Sequence, residues 1–236
     1  MSEQVPITPM LERARGAPRA LPGGIANGAL LVVDVQGDFA DPANLTAMGV
    51  PLEAQGAVAD AVDRMLGLIE AARTTGLEVV WIRGGGAIDS RWESVLWLIG
   101  QEEEGTGFCV PGTPGFEFWK VAPREGEPIV TKSRYSGFVR TDLEQLLLDR
   151  GITWVAVCGL TSACCVSSTA WDAMQRDFKV VVVGDATTEY DLDAHAASLE
   201  SMAENIGVVV SARELERVLT VAFESEMAAK HSGRTA

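Results

Sequence analysis

Six short apolar runs recur along the chain and are separated by longer stretches with helical spacing. The runs are ALLVVDV (29–35), LEVVWIR (77–83), PIVT (128–131), TWVAVCG (153–159), KVVVVGD (179–185) and GVVVS (207–211). They are almost continuously apolar rather than alternating, which indicates strands that are buried on both faces. Strands of this kind occur in parallel sheets that are covered by helices.

The stretches between the runs have apolar residues at helical intervals, at 53–75, 141–149, 163–176, 192–205 and 212–226. An alternation of strands and helices implies right-handed crossover connections. The sequence therefore predicts an α/β fold: a doubly wound, six-stranded and mostly parallel sheet with helices on both faces, in a Rossmann-like three-layer sandwich.

A chain of 236 residues is long enough for one large α/β domain. We expect a single domain over residues 29–226, preceded by an N-terminal arm (1–28) and followed by a polar C-terminal tail (227–236). The segment 84–126 is rich in glycine and holds three tryptophans, and it interrupts the alternation. We expect it to be an excursion over the active face of the sheet.

Charge and composition exclude several classes of partner. The formal net charge is −14, and no cluster of Lys and Arg is present that would release counterions from nucleic acid or an anionic membrane. No apolar run approaches the roughly 18 residues that span a bilayer. The four cysteines are too few for a disulfide scaffold in a chain of this length. We expect a cytoplasmic protein that binds neither nucleic acid nor membrane.

Chemistry-bearing residues should follow the carboxyl ends of the strands, because ligands of open parallel sheets bind there. Asp34 follows LLVV, so its carboxylate lies at the edge of the core, and burying it is costly unless a cation is near. Lys132 follows PIVT and is the expected cation, paired with Asp34 across neighbouring strands. A capping role for Asp34 and a solvated strand end for Lys132 are the alternatives.

Two adjacent cysteines, Cys164 and Cys165, begin the helix that follows the fourth run. A thiol in the first turn of a helix faces the positive end of the dipole, which favours the nucleophilic thiolate. On a helical wheel the two lie on opposite sides of the apolar stripe that starts at Ala163, so the periodicity does not choose between them. Buried, inert cysteine is the common alternative, and it is our prediction for Cys109 and Cys158.

Other catalytic schemes have little support in the residues. The two histidines, His195 and His231, have no metal-ligand spacing, and no CxxC pair exists, so we expect neither a metal nor a cofactor. No P-loop and no GxGxxG motif is present. His195 follows the fifth run, where it has two possible roles: a base for a cysteine, or a helix cap.

Three motifs in this order resemble those of the isochorismatase-like hydrolases, and specifically their cysteine amidase branch. They are LLVVDVQGDF (30–39), IVTKSRYSGF (129–138) and VAVCGLTSACCVSSTAWDAMQRDFKVVVVGDAT (155–187). The resemblance implies a catalytic triad of Asp34, Lys132 and Cys165. It also implies a cis peptide between Leu160 and Thr161, and an oxyanion hole made by the backbone N–H groups of Thr161 and Cys165.

The resemblance further implies hydrolysis of a C–N bond in a small amide, carbamoyl or ureide substrate, through a thioester and with release of ammonia. The segment WIRGGGAIDSRW (81–92) lacks the histidines of the nicotinamidase branch, and the vinyl-ether-cleaving branch lacks the nucleophilic cysteine. The alternatives are maleamate amidase activity, a non-catalytic binding or scaffold role, and a thiol-redox role for Cys164 and Cys165.

The family implies a homodimer or homotetramer. The candidate pocket residues are Phe39, Trp81, Arg134, Tyr135 and Phe138.

Overall fold

The computed structural model describes residues 21–85, 92–98, 100 and 107–232, and within them six strands form one parallel sheet. The strands are β1 (Gly28–Val33), β2 (Glu78–Gly84), β3 (Ile129–Lys132), β4 (Trp154–Leu160), β5 (Lys179–Thr188) and β6 (Gly207–Val210). Their order across the sheet is β3-β2-β1-β4-β5-β6, and every neighbouring pair is parallel. The predicted doubly wound α/β fold is confirmed.

The helices of the described residues cover both faces of this sheet. They are α1 (Gly37–Ala40), α2 (Pro42–Ala47), α3 (Leu52–Thr75), α4 (Glu93–Leu98), α5 (Leu143–Asp149), α6 (Ser167–Met174), α7 (Leu192–Asn205) and α8 (Ala212–Ser232). Buried side chains of α3 and α8 pack with one face, and those of α5, α6 and α7 pack with the other. The central strands β1 and β4 are buried throughout, as their continuous apolar runs predict.

The direction of the strand order reverses beside β1. From β1 the chain proceeds outward through β2 and β3, whereas β4, β5 and β6 extend from its other side. The carboxyl ends of β1 and β4 therefore border the crevice at which ligands bind in sheets of this kind. Asp34 follows β1 directly, and the two adjacent cysteines follow β4.

Two segments differ from the predicted elements. Helix α8 continues to Ser232 rather than ending at 226, because EMAAK (226–230) consists of good helix formers that need no buried face. The chain from Ser162 to Val166 is a π-helical turn, and α6 begins only at Ser167. Ala163 is consequently exposed instead of joining the apolar stripe, since the 100° step of an α-helix does not apply to a π-turn.

The predicted excursion at 84–126 is described only in part, because 86–91, 99 and 101–106 lie outside the described residues. Its described portions include α4 and an antiparallel bridge between Phe118 and Gln36, just beyond β1. None of the helices that the structure describes is long and apolar enough to cross a membrane.

Candidate active site

Asp34 is the first residue beyond β1 and turns its carboxylate into the interior. Its backbone has a positive φ of 50°, and its N–H donates to the carbonyl of Ile82 at 2.8 Å. Only 1% of the residue is exposed. A buried carboxylate is stable only beside a cation or hydrogen-bond donors, so its surroundings decide what it does.

Lys132 ends β3 and supplies that cation. Its Nζ lies 2.6 Å from Oδ2 of Asp34, 3.0 Å from the carbonyl oxygen of Arg134 and 3.4 Å from Sγ of Cys165. A lysine ammonium has three N–H donors, and these three acceptors match them. We predict that Asp34 and Lys132 pair across neighbouring strands, and this part of the prediction is wrong, because β2 lies between β1 and β3. The Lys132 side chain reaches Asp34 past the end of β2.

The turn that carries the cysteines has an unusual backbone. Gly159 has a φ of 125°, and a Cβ atom at this position would overlap the carbonyl oxygen of Val33 on β1, so only glycine fits. The next peptide bond, between Leu160 and Thr161, is cis. The π-turn then begins, and the N–H of Val166 donates to the carbonyl of Thr161 at 3.1 Å.

This turn separates the two cysteines that the helical wheel left equivalent. Cys165 contacts the Lys132 ammonium and packs against the core face that α5, α6 and α7 cover. A hydrogen bond with Cys165 lowers the pKa of Cys164, burial opposes this shift, and the Tyr135 hydroxyl lowers the pKa further. Cys158 and Cys109 are both buried, and the inert role that we predict for them stays a prediction.

The charge state of the site follows from these contacts. A hydrogen bond with Cys164, burial and the Asp34 carboxylate raise the pKa of Cys165 well above its ordinary value, although Lys132 opposes them. Burial lowers the pKa of Lys132, but Asp34 and Cys165 outweigh burial, and the net pKa is raised. The resting site therefore holds a protonated Cys165 thiol beside a permanent ammonium.

The Asp34 carboxylate retains capacity to accept hydrogen bonds. Apart from the ion pair with Lys132, neither of its oxygens accepts a hydrogen bond from any residue that the structure describes. In a buried position an unsatisfied acceptor of this kind is rare, and such groups concentrate at functional sites. The arrangement thus places a thiol, a cation and a free acceptor in one crevice.

The side chains of Gln36 and Asp38, just beyond β1, form hydrogen bonds with the excursion at 84–126. The Gln36 amide donates to the carbonyls of Phe116 and Gly84 at 2.8 and 3.2 Å, and its oxygen accepts from the N–H of Gly84 at 2.7 Å. The N–H of Cys109 donates to Asp38 at 2.6 Å. Residues 107–118 are therefore held against the crevice, as expected for the excursion.

The predicted pocket residues divide into two groups. Phe39 stacks on Phe108 at 5.9 Å, and Tyr135 meets Trp92 edge to face at 4.4 Å. Arg134 lies over the Trp92 ring at 5.1 Å and donates to the carbonyl of Ser133. A cavity of about 350 Å³ lies beside Arg134 and Tyr135, and Phe39, Asp34, Lys132 and Cys165 are not among its lining residues. It is lined by Trp92, Arg134, Tyr135, Ser136, Val139, Ser168 and Asp172.

Trp81 and Phe138 belong instead to the hydrophobic core. Trp81 is fully buried on the face that α3 covers, opposite to the face of Cys165, and its indole donates to Glu127 at 2.7 Å. Phe138 packs in the core under α5 and α6. The alternation along a strand assigns a side chain to one of two faces, and the sequence does not reveal which face adjoins the crevice.

His195 contacts Ser162 rather than a cysteine. Its Nδ1 lies 2.9 Å from the Ser162 hydroxyl, and burial lowers its pKa while Glu189 opposes the shift. Sequence reasoning missed Ser162 and Glu189, since neither has a spacing that marks it. Over the described residues, no three His, Cys, Asp or Glu side chains stand close enough together to hold a metal ion.

Comparisons with known proteins agree with the fold and the motifs. The Isochorismatase domain family matches residues 28–214. Streptothricin hydrolase of Streptomyces noursei is 33% identical over 81% of this chain, and the match spans 59% of that protein's length. Ureidoacrylate amidohydrolase RutB of Methylobacterium radiotolerans is 28% identical over 86% of this chain and 84% of its own.

Solved structures give the same result. A cysteine hydrolase from Pseudomonas syringae pv. phaseolicola superposes with a TM-score of 0.76 at 28% identity, covering 85% of this chain and 96% of the other. N-carbamoylsarcosine amidase from Thermoplasma acidophilum superposes with a TM-score of 0.63 at 26% identity, covering 79% and 96%. The chain therefore belongs to the isochorismatase family of hydrolases, in the branch whose relatives are cysteine hydrolases and amidohydrolases.

Proposed function

We propose that the protein is a cysteine-dependent amidohydrolase that cleaves a C–N bond of a small amide, carbamoyl or ureide substrate through a thioester and releases ammonia. One observation carries the proposal: the Lys132 ammonium bridges the buried Asp34 carboxylate and the Cys165 thiol. A nucleophile and a proton acceptor that contact one fixed cation are the parts that covalent acyl transfer requires.

In the first half-reaction Asp34 takes the thiol proton, and Lys132 stabilises the thiolate that forms. An acceptor is needed because the pKa of Cys165 is raised, so the thiol does not ionise unaided. Sulfur then attacks the carbonyl carbon, and the Sγ–C bond forms while the carbonyl electron pair moves to oxygen. The backbone N–H groups of Thr161 and Cys165 hold this oxyanion.

Collapse of the tetrahedral adduct breaks the C–N bond. The proton on Asp34 passes to the departing nitrogen, which leaves as ammonia, and an acyl thioester remains on Cys165. In the second half-reaction Asp34 accepts a proton from water, the resulting hydroxide attacks the thioester, and the Sγ–C bond breaks. The proton on Asp34 then returns to the cysteine, so the site regains its starting state.

The proposed substrate class is supported by the names of the relatives and by the cavity. Ureidoacrylate amidohydrolase and N-carbamoylsarcosine amidase act on compounds with a carbamoyl nitrogen, as their names state. The cavity of about 350 Å³ suits a small molecule. Phe39, Arg134 and Tyr135 are the pocket residues that we carry forward.

A maleamate-type amidase is the second candidate. Maleamate amidohydrolase of Pseudomonas putida is 30% identical over 79% of this chain. Arg134 lines the cavity, and a guanidinium is suited to pair with a carboxylate of such a substrate. An Arg134→Met variant tests this pairing: it should raise KM for maleamate and for ureidoacrylate, which both carry a carboxylate, and leave KM for biuret unchanged. The relative rates of ammonia release from maleamate and ureidoacrylate distinguish the two candidates.

The test of the proposal is ammonia release from a panel of N-carbamoyl amino acids, ureidoacrylate, biuret, maleamate and nicotinamide. The Cys165→Ala variant serves as the blank for each compound, because it retains the fold without the nucleophile. Release by the wild-type protein that vanishes in the variant supports the proposal and identifies the substrate class. Release that persists in the variant contradicts it.

A further inference from the structure

The turn that carries Cys165 is contacted by Glu189, which lies in the connection between β5 and α7, and by His195, which lies in the first turn of α7. The Ser162 hydroxyl lies 2.9 Å from Nδ1 of His195, and the carboxylate of Glu189 accepts from the N–H of Ala163 at 3.2 Å. Ser162 is completely buried. Both contacts are made to residues that lie between Thr161 and Cys165, whose N–H groups form the proposed oxyanion hole.

His195 is itself fixed by the start of α7. Its N–H donates to the carbonyl of Asp191 at 2.9 Å, and the Asp191 side chain caps the helix by accepting from the N–H groups of Asp193 and Ala194. These contacts fix the backbone from which the imidazole reaches the buried Ser162 hydroxyl. A hydroxyl without such a partner would either lose a hydrogen bond in the interior or shift toward another acceptor.

We propose that His195 and Ser162 are positioning residues for the reaction: the imidazole fixes Ser162, and Ser162 keeps the N–H groups of Thr161 and Cys165 directed at the substrate oxygen. The inference rests on the proposed function, because the oxyanion is that of the acylation step. His195 is not the base for Cys165, since its ring contacts Ser162 while Cys165 contacts Lys132.

The predicted kinetic effect is on turnover rather than on substrate binding. A displacement of about 1 Å at a reacting group costs roughly a hundredfold in rate. We expect His195→Leu and Ser162→Ala each to lower kcat by about ten- to a hundredfold and to change KM by less than about threefold. The His195→Asn variant places an amide near the Nδ1 position and restores most of the rate.

The test compares two reactions of the cysteine, of which only one forms an oxyanion. With p-nitrophenyl acetate, sulfur attacks a carbonyl, p-nitrophenolate leaves, and the acetyl thioester on Cys165 is then hydrolysed. With iodoacetamide, sulfur attacks a saturated carbon and iodide leaves, so no oxyanion arises. Acetylation is measured as p-nitrophenolate release above the Cys165→Ala blank, and alkylation of Cys165 by mass spectrometric peptide mapping. Both rates are measured in the wild type, His195→Leu, His195→Asn, Ser162→Ala and the double variant.

We expect acetylation to fall at least about tenfold in His195→Leu and in Ser162→Ala, with little further loss in the double variant, because both act through one contact. Alkylation should stay within about twofold. Ser198→Ala is the matched control, since Ser198 lies on α7 and its hydroxyl donates to the carbonyl of His195 rather than to the turn. This variant should leave both rates unchanged.

Several outcomes overturn the proposal. They are an equal fall of both rates, no fall of either rate, additive effects in the double variant, and a wild-type Cys165 that is alkylated but releases no p-nitrophenolate above the Cys165→Ala blank. A failure of the proposed function has a different result. In that case the wild-type Cys165 is acetylated and the variants show the expected pattern, yet no amide of the panel is hydrolysed.

Discussion

Two carboxylates of this protein, the buried Asp34 and the partly buried Glu127, are paired with cations, and they differ in how many hydrogen bonds their oxygens accept. Glu127 accepts from Nε and Nη2 of Arg73 at 2.7 and 2.8 Å, from the Trp81 indole at 2.7 Å and from the N–H of Arg124 at 2.8 Å. Asp34 has a single cationic partner, Lys132, and neither oxygen accepts a hydrogen bond from another described residue.

The difference separates a structural ion pair from a reactive one. Burial raises the pKa of Glu127, but its hydrogen bonds with Arg73, the Arg124 amide and the Trp81 indole outweigh burial and lower the pKa to about 2. Both oxygens of Glu127 accept hydrogen bonds from neighbouring residues, which is typical of a structural carboxylate. At the other site Lys132 contacts both Asp34 and Cys165, and in the proposed mechanism Asp34 accepts the thiol proton.

The largest expected effect comes from removing the proton acceptor. In Asp34→Asn the amide cannot accept the thiol proton, so we expect kcat to fall by at least about a thousandfold. Ammonia release on the best substrate of the panel measures this effect. Residual turnover above about a tenth of the wild-type rate would contradict the comparison, because Asp34 would then be structural in the manner of Glu127.

The matched substitution of Glu127 should lower stability and leave turnover unchanged, which is the opposite of the result expected for Asp34→Asn. Glu127→Gln removes the charge but keeps the shape, and we expect unfolding to become easier by about 1–2 kcal/mol while kcat stays within about twofold. Urea unfolding and ammonia release measure the two quantities. A loss of turnover without a loss of stability would show that the two carboxylates are wrongly assigned.

The stability that the Arg73–Glu127 ion pair contributes should depend on pH. The pKa of Glu127 is lowered from its ordinary 4.5 to about 2, so its ion pair contributes stability above pH 4.5 and loses this contribution as the pH falls toward 2. After allowance for solvent screening we expect about 1 kcal/mol. Urea midpoints of wild type and Glu127→Gln should approach each other as the pH falls from 4.5 toward 2, and midpoints that stay equally far apart would refute this account.

The smallest effect is expected at Cys164. Its hydrogen bond raises the pKa of Cys165, so Cys164→Ala should lower that pKa and increase alkylation of Cys165 by iodoacetamide by a few-fold at pH 7. Turnover should stay within about threefold of wild type. A thiol-redox mechanism would instead require both cysteines, and loss of turnover in Cys164→Ala would favour that mechanism.

Much of the fold and the principal site residues followed from the sequence. The continuous apolar runs predicted the parallel sheet, and the rule that ligands bind at carboxyl strand ends directed attention to Asp34, Lys132 and the cysteine segment. The choice of Cys165 came from the family motif, not from the helical wheel. The wheel failed because the turn at Ser162–Val166 is π-helical, so its residues do not advance by 100°.

Other parts of the site depend on contacts between residues far apart in the sequence, which a local sequence pattern does not predict. The bond between Ser162 and His195 joins residues 33 positions apart, and the pair of Arg73 and Glu127 joins residues 54 apart. Trp81 was misplaced because a strand pattern does not tell which face adjoins the crevice. The homodimer or homotetramer stays a prediction, which light scattering of the purified protein would test.

The most direct test of the central claim is to locate the acyl group during turnover. The protein is mixed with its best amide substrate, quenched in acid within milliseconds, digested and sequenced by tandem mass spectrometry. We expect the acyl mass on Cys165, and none in the Cys165→Ala variant. An acyl group on Cys164, or ammonia release by Cys165→Ala at the wild-type rate, would contradict the assignment of Cys165 as the nucleophile.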